Sequence, residues 1–272
     1  MKPKLKPRDP NSYKGQNGKV LVIGGSKRYF GSPALVAMSS LRAGADLAYL
    51  CVPEYIAPAV ATSAPDLIVW AYPGEYLAKL PEDLPELARR CDALAIGNGL
   101  TKDPRVLKVI REIVASWKKP VVIDADAIMP GLGHASSKVV YTPHVVEFQR
   151  LSGEKAAANL AARKEQVRAL AQKLGATVLL KGKTDIASDG KTTLANTTGN
   201  AGMTAGGTGD TLAGICATFL AQGYPPIEAA FNAAYINGAA GDLAFRKYGY
   251  SLIASDLISE IPNVLKQLRK NR

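Results

Sequence analysis

Short, continuous apolar runs recur through the first half of the chain, and segments with helical periodicity separate them. Such runs are typical of strands buried on both faces of a parallel sheet. Their alternation with helices predicts an α/β fold, a three-layer α/β/α sandwich around a mostly parallel central sheet. The predicted strands cover residues 19–25, 46–52, 67–71, 93–97 and 120–124, and the predicted helices begin at Ser32-Pro33 or cover 56–62 and 104–117.

The second half continues this pattern and then becomes mainly helical. Strands are predicted over 138–142 and 177–182, and Asp189-Gly190 predicts a hairpin between short strands at 185–188 and 191–196. Helices are predicted over 156–174, 208–222, 226–246 and 254–269, whereas proline-rich residues 73–85 are expected to be irregular. Because the 272 residues contain no repeat, low-complexity tract or linker, we expect a single domain, 1–272, with basic tails at 1–17 and 266–272.

Composition and charge limit the classes of protein to consider. The hydrophobic content of 47% is sufficient for a core, yet no apolar run approaches the ~18 residues of a membrane helix, and the basic N-terminus lacks a signal-peptide centre. Three well-separated cysteines predict reduced, buried thiols and a cytoplasmic location. The net charge of +11 is concentrated at the ends, with +3 in residues 1–10 and +4 in residues 263–272. Such ends are typical of solvated tails, so we expect neither nucleic acid nor a membrane as the main partner.

A glycine-rich turn precedes the helix predicted at 208–222. Gly202, Gly206, Gly207 and Gly209 lie just before Asp210 and an apolar helical pattern. A glycine-rich turn that opens a helix presents free backbone N–H groups and a positive dipole end, which together favour phosphate. A carboxylate beside bound phosphate is repelled, so Asp210 suggests a base that acts on a hydroxyl approaching the phosphate. The alternative is a flexible loop and a helix capped by Thr208 or Asp210.

Other polar residues follow predicted strands, where ligands of such sheets gather. His144 and Glu147 stand three residues apart after a strand, as a metal pair or simply at the start of a surface helix. The loop from Lys181 to Asp185 could neutralise nucleotide phosphates or be a solvated turn. Asp124 and Asp126 could orient substrate hydroxyls, hold magnesium through water, or cap their strand.

Two motifs resemble those of the NAD(P)H-hydrate dehydratases, nicotinamide-repair enzymes of the ribokinase-like superfamily. The first is Asn200-x-Gly-Met-x-x-Gly-Gly-Thr-Gly-Asp210, and the second is Thr142-Pro-His144-x-x-Glu147-Phe. Related kinases often have asparagine in place of His144. The resemblance covers residues 18–244 and departs from the family at Gly97-Asn98-Gly99, where proline is usual at the central position.

The resemblance implies an ADP-dependent dehydratase that returns (S)-NADHX and (S)-NADPHX, the C6-hydrated forms of NADH and NADPH, to NADH and NADPH. The terminal phosphate would pass to the C6 hydroxyl and then leave, giving AMP and phosphate. Magnesium would bridge the nucleotide phosphates, and ATP is the alternative co-substrate. The family also implies a homo-oligomer, with a tetramer favoured. Because the chain has no room for a fused epimerase domain, a separate NAD(P)H-hydrate epimerase is the expected functional partner.

Roles for individual residues follow from the same resemblance. Asp210 would be catalytic and would contact the substrate together with Ala34, Gly99 and His144. Glu147 would lie close to magnesium and phosphate. The nucleotide would contact two loops, Lys181, Gly182, Lys183, Thr184 and Asp185 in the first, and Asn200, Gly206, Gly207, Thr208 and Gly209 in the second.

Two other functions are compatible with the phosphate-binding turn. The chain could be an ATP-dependent kinase of a small hydroxylated metabolite such as a vitamin precursor, although His144 in place of asparagine argues against this. It could also be a non-catalytic nucleotide or nucleic-acid binder, which would gain nothing from the Asp210 carboxylate.

Overall fold

The computed structural model describes residues 2–270, in which nine strands form one sheet. The strands are β1 (Lys19–Ile23), β2 (Leu47–Pro53), β3 (Ile68–Tyr72), β4 (Ala93–Ile96), β5 (Val121–Ile123), β6 (Val139–Tyr141), β7 (Thr177–Leu180), β8 (Asp185–Ser188) and β9 (Thr193–Asn196). Their order is β3-β2-β1-β4-β5-β6-β7-β8-β9. Strands β1 to β7 pair in parallel, whereas β8 pairs antiparallel with both β7 and β9. This confirms the predicted mostly parallel sheet and the predicted hairpin.

Helices cover both faces of the sheet and form the outer layers of the predicted sandwich. They are α1 (Gly31–Ala43), α2 (Ala57–Ser63), α3 (Leu84–Arg90), α4 (Pro104–Ser116), α5 (Val145–Ser152), α6 (Leu160–Leu174), α7 (Thr208–Ala221), α8 (Pro226–Tyr248) and α9 (Ala254–Lys270). One hydrophobic cluster joins one sheet face to α1, α2, α7, α8 and α9. A second cluster joins the other face to α3, α4, α5 and α6. Alternate residues of each strand enter the two clusters because successive side chains point to opposite faces.

Two helices differ clearly from the sequence prediction. Helix α6 begins at Leu160 and not at residue 156, because the Asn159 side chain accepts hydrogen bonds from the N–H groups of Ala161 and Ala162 and caps the helix there. Helix α3 was not predicted, since residues 73–85 were expected to be irregular. It has seven residues, too few to show periodicity, and Pro85 lies in its first turn, where proline is tolerated.

The carboxyl ends of β1, β4, β5, β6 and β7 lie side by side and carry the polar residues singled out in the sequence. Gly97 allows β4 and β5 to meet closely here, because its φ is 125° and a Cβ atom at this position would lie 1.8 Å from the Asp124 carbonyl oxygen. The Asn98 carbonyl oxygen in turn accepts a hydrogen bond from the Gly25 N–H at 2.8 Å. This edge of the sheet therefore holds residues that are distant in sequence in a fixed arrangement.

Residues 2–270 contain nine α-helices and all three cysteines. None of the helices in this range is both long and apolar enough to cross a membrane. Cys51, Cys91 and Cys216 are free and buried, as expected from their apolar surroundings.

Candidate active site

The glycine-rich turn ends at the first residue of α7 without a side-chain cap. Gly207 is the N-cap residue, with φ of 93°, and no side chain accepts from the first N–H groups of the helix. The Thr208 hydroxyl instead donates backwards, to the carbonyl oxygens of Met203 at 2.8 Å and Ala205 at 3.1 Å. The alternative of a helix capped by Thr208 or Asp210 is therefore wrong. An uncapped helix start of this kind is suited to an anion.

Asp210 lies in the first turn of α7 and is partly buried. Its Oδ1 accepts a hydrogen bond of 2.7 Å from Asn98 Nδ2. Burial raises the pKa of Asp210 to about 6, and the nearby Asp124 charge adds to the rise, whereas Asn98, the Ser32 hydroxyl and Lys181 oppose it. A carboxylate with this pKa is ionised at neutral pH and is more basic than an ordinary aspartate, which suits a general base.

Asp124 connects Asp210 to the candidate nucleotide loop. Its Oδ2 accepts from Asn98 Nδ2 at 2.9 Å, so the Asn98 amide group donates to both carboxylates. Its Oδ1 accepts from Thr142 Oγ1 and Lys181 Nζ, each at 2.8 Å. Burial by itself lowers the pKa of Lys181, but the negative charges of Asp124, Glu147 and Asp210 outweigh it and raise this pKa. The lysine therefore stays charged at the edge of the site.

His144 and Glu147 form the start of α5. The His144 Nδ1 atom accepts from the N–H groups of Val146 at 3.1 Å and Glu147 at 3.3 Å, and Glu147 Oε2 accepts from the His144 N–H at 2.8 Å. This reciprocal arrangement is a capping box. The helix-start interpretation of His144 is correct. The imidazole ring is half exposed, and its Nε2 lies 3.4 Å from Glu147 Oε1. Burial raises the pKa of Glu147, against the opposing effect of Lys181.

A pocket of about 720 Å³ lies between these elements. Of the predicted site residues, it is lined by His144, Lys181, Gly182, Lys183, Asp185, Asn200, Thr208 and Gly209. The structure thus brings the two predicted nucleotide loops together with His144. Predicted site residues that do not line it are Ala34, Gly99, Glu147, Thr184, Gly206, Gly207 and Asp210.

The loop between β7 and β8 is held by its own hydrogen bonds. The Gly182 N–H donates to Asp185 Oδ1 at 3.0 Å, and Asn196 Nδ2 donates to Asp185 Oδ2 at 3.0 Å. The Lys181 N–H donates to the Pro143 carbonyl oxygen at 2.8 Å, which fixes this loop against the start of α5. Asp185 therefore shapes the loop in addition to lining the pocket.

Gly99 and Ala34 do not line this pocket. A Cβ atom on Gly99 would lie 2.7 Å from the Tyr29 carbonyl oxygen and 3.1 Å from Ser32 Cβ, so Gly99 faces the loop that precedes α1. The Ala34 side chain is only 9% exposed and belongs to the core cluster with α7 and α9. Its contact with substrate stays a prediction.

Sequence reasoning missed several supporting residues. Asn98 stands where the related family usually has proline, and no motif indicated that its amide would join Asp124 to Asp210. Asp242 on α8 accepts from Asn200 Nδ2 at 2.8 Å and from the Gly199 N–H at 3.0 Å. Asn237 Nδ2, also on α8, donates to the Thr208 carbonyl oxygen at 3.1 Å. Both side chains come from the middle of a long helix, where no local signal distinguishes them.

The acidic residues of the described chain do not form a complete set of protein metal ligands. Among the described residues, 2–270, no group of three or more histidine, cysteine, aspartate or glutamate side chains is placed to hold a metal ion. Magnesium nevertheless fits the donor set, because it usually takes one or two carboxylates together with substrate phosphates and water. The two buried carboxylates, Glu147 and Asp124, have Lys181 as the cation beside them. Their combined negative charge is larger than the positive charge of Lys181, which favours a divalent cation.

The model for the NAD(P)H-hydrate dehydratase family matches residues 20–263. The chain belongs to this family. It is 42% identical to the ADP-dependent (S)-NAD(P)H-hydrate dehydratase of Cenarchaeum symbiosum, over 95% of this chain and 92% of that protein. It is 43% identical to the bifunctional NAD(P)H-hydrate repair enzyme Nnr of Pyrobaculum aerophilum, over 96% of this chain but 53% of that enzyme. The chain thus spans about half the length of its bifunctional relatives.

Solved structures of the family have the same fold. The ADP/ATP-dependent NAD(P)H-hydrate dehydratase of Bacillus subtilis, co-crystallised with ATP and Mg²⁺, matches with a TM-score of 0.83 and 27% identity, over 97% of this chain and 94% of that one. The sheet, its two helical layers and these structural matches confirm the ribokinase-like α/β sandwich expected from the sequence.

Proposed function

We propose that this member of the NAD(P)H-hydrate dehydratase family is an ADP-dependent (S)-NAD(P)H-hydrate dehydratase. The proposed reaction converts (S)-NADHX and (S)-NADPHX to NADH and NADPH and releases AMP and phosphate. The observation that carries the proposal is Asp210, a partly buried carboxylate of raised pKa at the uncapped start of α7. Relatives that match along nearly their whole length, such as the ADP-dependent enzyme of C. symbiosum, support the choice of ADP.

In the proposed mechanism, ionised Asp210 accepts the proton of the C6 hydroxyl as its oxygen bonds to the terminal phosphorus of ADP. The N–H groups of Gly207, Thr208 and Gly209 stabilise the charge that develops on the transferred phosphoryl group, a role in which loss of one donor typically costs ~10²–10³ in rate. The phosphorylated intermediate then expels phosphate from C6 with the help of the electron pair of the ring nitrogen, and loss of a proton from C5 to solvent restores the C5=C6 double bond. The products are NADH or NADPH, phosphate and AMP.

The proposed nucleotide contacts lie in the pocket between α5, α7 and the Lys181–Asp185 loop. Lys181 and Lys183 would offset phosphate charge, and the lining side chains on both loops would hold the nucleotide. Magnesium bound beside Glu147 would screen the phosphates from the site carboxylates. His144, Gly99 and Ala34 would contact the hydrated nicotinamide together with Asp210.

Other features of the biology remain part of the proposal. We propose one domain, a homo-oligomer with a tetramer favoured, a cytoplasmic location, and a separate epimerase that supplies the (S) epimer. The bifunctional relatives carry the name of a repair enzyme with two activities, which supports this functional link.

One assay tests the proposed reaction. Hydrated NADH would be incubated with Mg²⁺ and either ADP or ATP while the absorbance of reduced nicotinamide and the release of phosphate are followed. We expect both signals to rise in equal amounts, and more rapidly with ADP. A stable phosphorylated product without free phosphate would identify a kinase, and absence of both signals with either nucleotide would contradict the proposal.

A further inference from the structure

A second concave site lies at the opposite end of the parallel strands from the candidate active site. This basic pocket, of about 370 Å³, is lined by Arg8, Arg42, Gly44, Pro262, Leu265, Lys266, Arg269 and Lys270. Gly44 precedes β2, and the Asp46 N–H donates to the Gly18 carbonyl oxygen just before β1 begins. The pocket is therefore at the amino ends of these strands. The five residues of β1 alone separate it from the carboxyl ends by roughly 17 Å.

The basic pocket gathers charge from three distant parts of the chain. Arg8 belongs to the N-terminal segment, Arg42 to the last turn of α1, and the remaining cations to the last turns of α9. The sequence led us to expect that the basic ends were solvated tails. The structure instead places Arg8 and the residues of α9 against the same depression in the surface.

Most of these cations lack an ionic partner. Within residues 2–270, Arg42, Lys266, Arg269 and Lys270 form no ion pair, and their side chains donate no hydrogen bond. Only Arg8 is paired, with Asp46 Oδ1 at 2.6 Å. The single negative charge of Asp46 is paired with Arg8, and its oxygens also accept from Gly15 and Asn17, so it does not offset the four unpaired cations.

The acidic and carbonyl groups nearby are similarly occupied. Glu260 on α9 pairs with Lys247 and accepts from Asn263 Nδ2 at 2.8 Å. At the end of α1, the Gly44 carbonyl oxygen accepts from Gln222 Nε2 at 3.2 Å. Four like charges around one small depression repel one another unless an anion binds between them.

We propose that the basic pocket is a binding site for a small anion carrying two or more phosphoryl groups, such as an inorganic polyphosphate or the phosphate chain of a nucleotide. Arginine forks match phosphate oxygens in a bidentate manner, and three of the five cations are arginines. A compact depression of this volume suits a phosphate chain better than a nucleic-acid duplex, which requires charge spread along an extended stripe. The site is separate from the one proposed for ADP.

Calorimetric titration of the full chain with inorganic triphosphate at ~0.1 M salt tests the proposal. Arg42→Gln combined with Arg269→Gln should weaken triphosphate binding at this site by about a hundredfold or more, since loss of each charge-assisted bond to phosphate weakens binding by at least about tenfold. The matched control is Lys108→Gln combined with Lys118→Gln, which removes the same charge from exposed positions on and after α4 and should change little. Dehydratase turnover should be unaffected in both double variants.

Lys181→Ala separates this site from the proposed nucleotide pocket. Triphosphate binding at the basic pocket should persist in Lys181→Ala. If binding is lost in Lys181→Ala but not in the Arg42/Arg269 variant, or is equally weakened in the Lys108/Lys118 control, the proposal is wrong. Titration with ADP should show whether the basic pocket also accepts a phosphate chain that carries a nucleoside. Such binding would be a second binding step in the titration, and the Arg42/Arg269 variant would lack it. A duplex DNA that binds through Arg42 and Arg269 more tightly than triphosphate would also overturn the proposal.

Discussion

Asp210 is the residue on which the proposed chemistry depends, and its replacement by asparagine tests that role. Asp210→Asn keeps the shape of the side chain but cannot accept a proton, so turnover should fall by ~10²–10⁴. In the wild-type protein, turnover should decrease as the pH falls through about 6, the pKa to which burial raises this carboxyl. Turnover measured against pH checks both expectations. A variant that retains near wild-type turnover would contradict the assignment of the base.

Stability should respond in the opposite sense. The pKa of Asp210 is raised from 3.8 to about 6, so the stability linked to its proton is fully present below 3.8 and is lost as the pH rises through about 6. Asp210→Asn should therefore melt above the wild type at pH 8 and close to it at pH 4. Melting curves at the two pH values supply the control that the variant is folded.

Asn98 is expected to position Asp210. Its amide lowers the pKa of Asp210, against the larger effect of burial. Asn98→Ala should thus move the acidic limb of the pH profile upward and reduce kcat by about tenfold, with little change in the KM for ADP. Thr142→Val is the matched control, because Thr142 bonds to Asp124 but not to Asp210. If both variants move the limb equally, Asn98 acts only through Asp124.

His144 has both a structural and a proposed binding role, and two substitutions separate them. His144→Ala removes the acceptor that caps α5 and should cost ~1 kcal/mol of stability. His144→Asn can retain the cap, so it should fold like the wild type and still weaken binding of the nicotinamide. Calorimetric titration of NADH and ADP in separate experiments measures this. An equal loss for the two ligands would show that His144 supports the site generally.

At the scale of single elements, the start of α7 depends on different glycines for different reasons. Gly207 has φ of 93°, and a Cβ atom there would lie 2.6 Å from Leu35 Cδ1. Gly207→Ala should therefore lower the free energy of unfolding by ~1–3 kcal/mol. Gly206→Ala is the control, because no atom lies within 4 Å of a Cβ atom at that position. Chemical denaturation of the two variants compares them directly, and equal stabilities would contradict the prediction.

Gly209 lies within α7 and has ordinary helical backbone angles. Glycine is needed there because it leaves space for the phosphate. A Cβ atom there would lie 3.4 Å from Lys181 Nζ, so the branched side chain of Gly209→Val would extend into the phosphate region. The variant should fold, lose almost all turnover and gain little melting temperature from ADP, whereas the wild type should be stabilised by ligand in excess of its Kd. Equal stabilisation by ADP would mean that the transferred phosphate binds elsewhere.

The same turn shows which parts of an element sequence reasoning can predict. Four glycines before Asp210 predicted an uncapped helix start, because glycine offers no side-chain oxygen and permits close approach. The sequence could not show which glycine has the left-handed backbone, since that depends on how Leu35 and Ala254 pack against the turn. The alanines at 156–158 favour a helix and led to the predicted start at residue 156. The Asn159 cap instead starts α6 at Leu160.

At the scale of the whole molecule, the sheet was largely predictable because buried parallel strands have continuous apolar runs. The order of the strands was not predicted from those runs, since each could pair with several others. The candidate site follows the same division. Motifs identified Asp210, Lys181 and His144, but the Asn98–Asp124 connection depends on strands β4 and β5 lying side by side. Similarly, the sequence showed that both ends of the chain are basic, but it did not predict that they lie beside Arg42 in one pocket.

The two faces of the sheet are covered by helices from different parts of the chain, and this has a consequence for synthesis on the ribosome. The last strand, β9, ends at Asn196, by which point α3 to α6 are available to cover one face. The other face has α1 and α2 over β1 to β3 by then, but it waits for α7, α8 and α9, which end only at Lys270. A nascent chain with a complete sheet therefore exposes apolar residues of β4 to β8 on that side until α7 to α9 have been made. Holding factors at the ribosomal exit would find their target on that side.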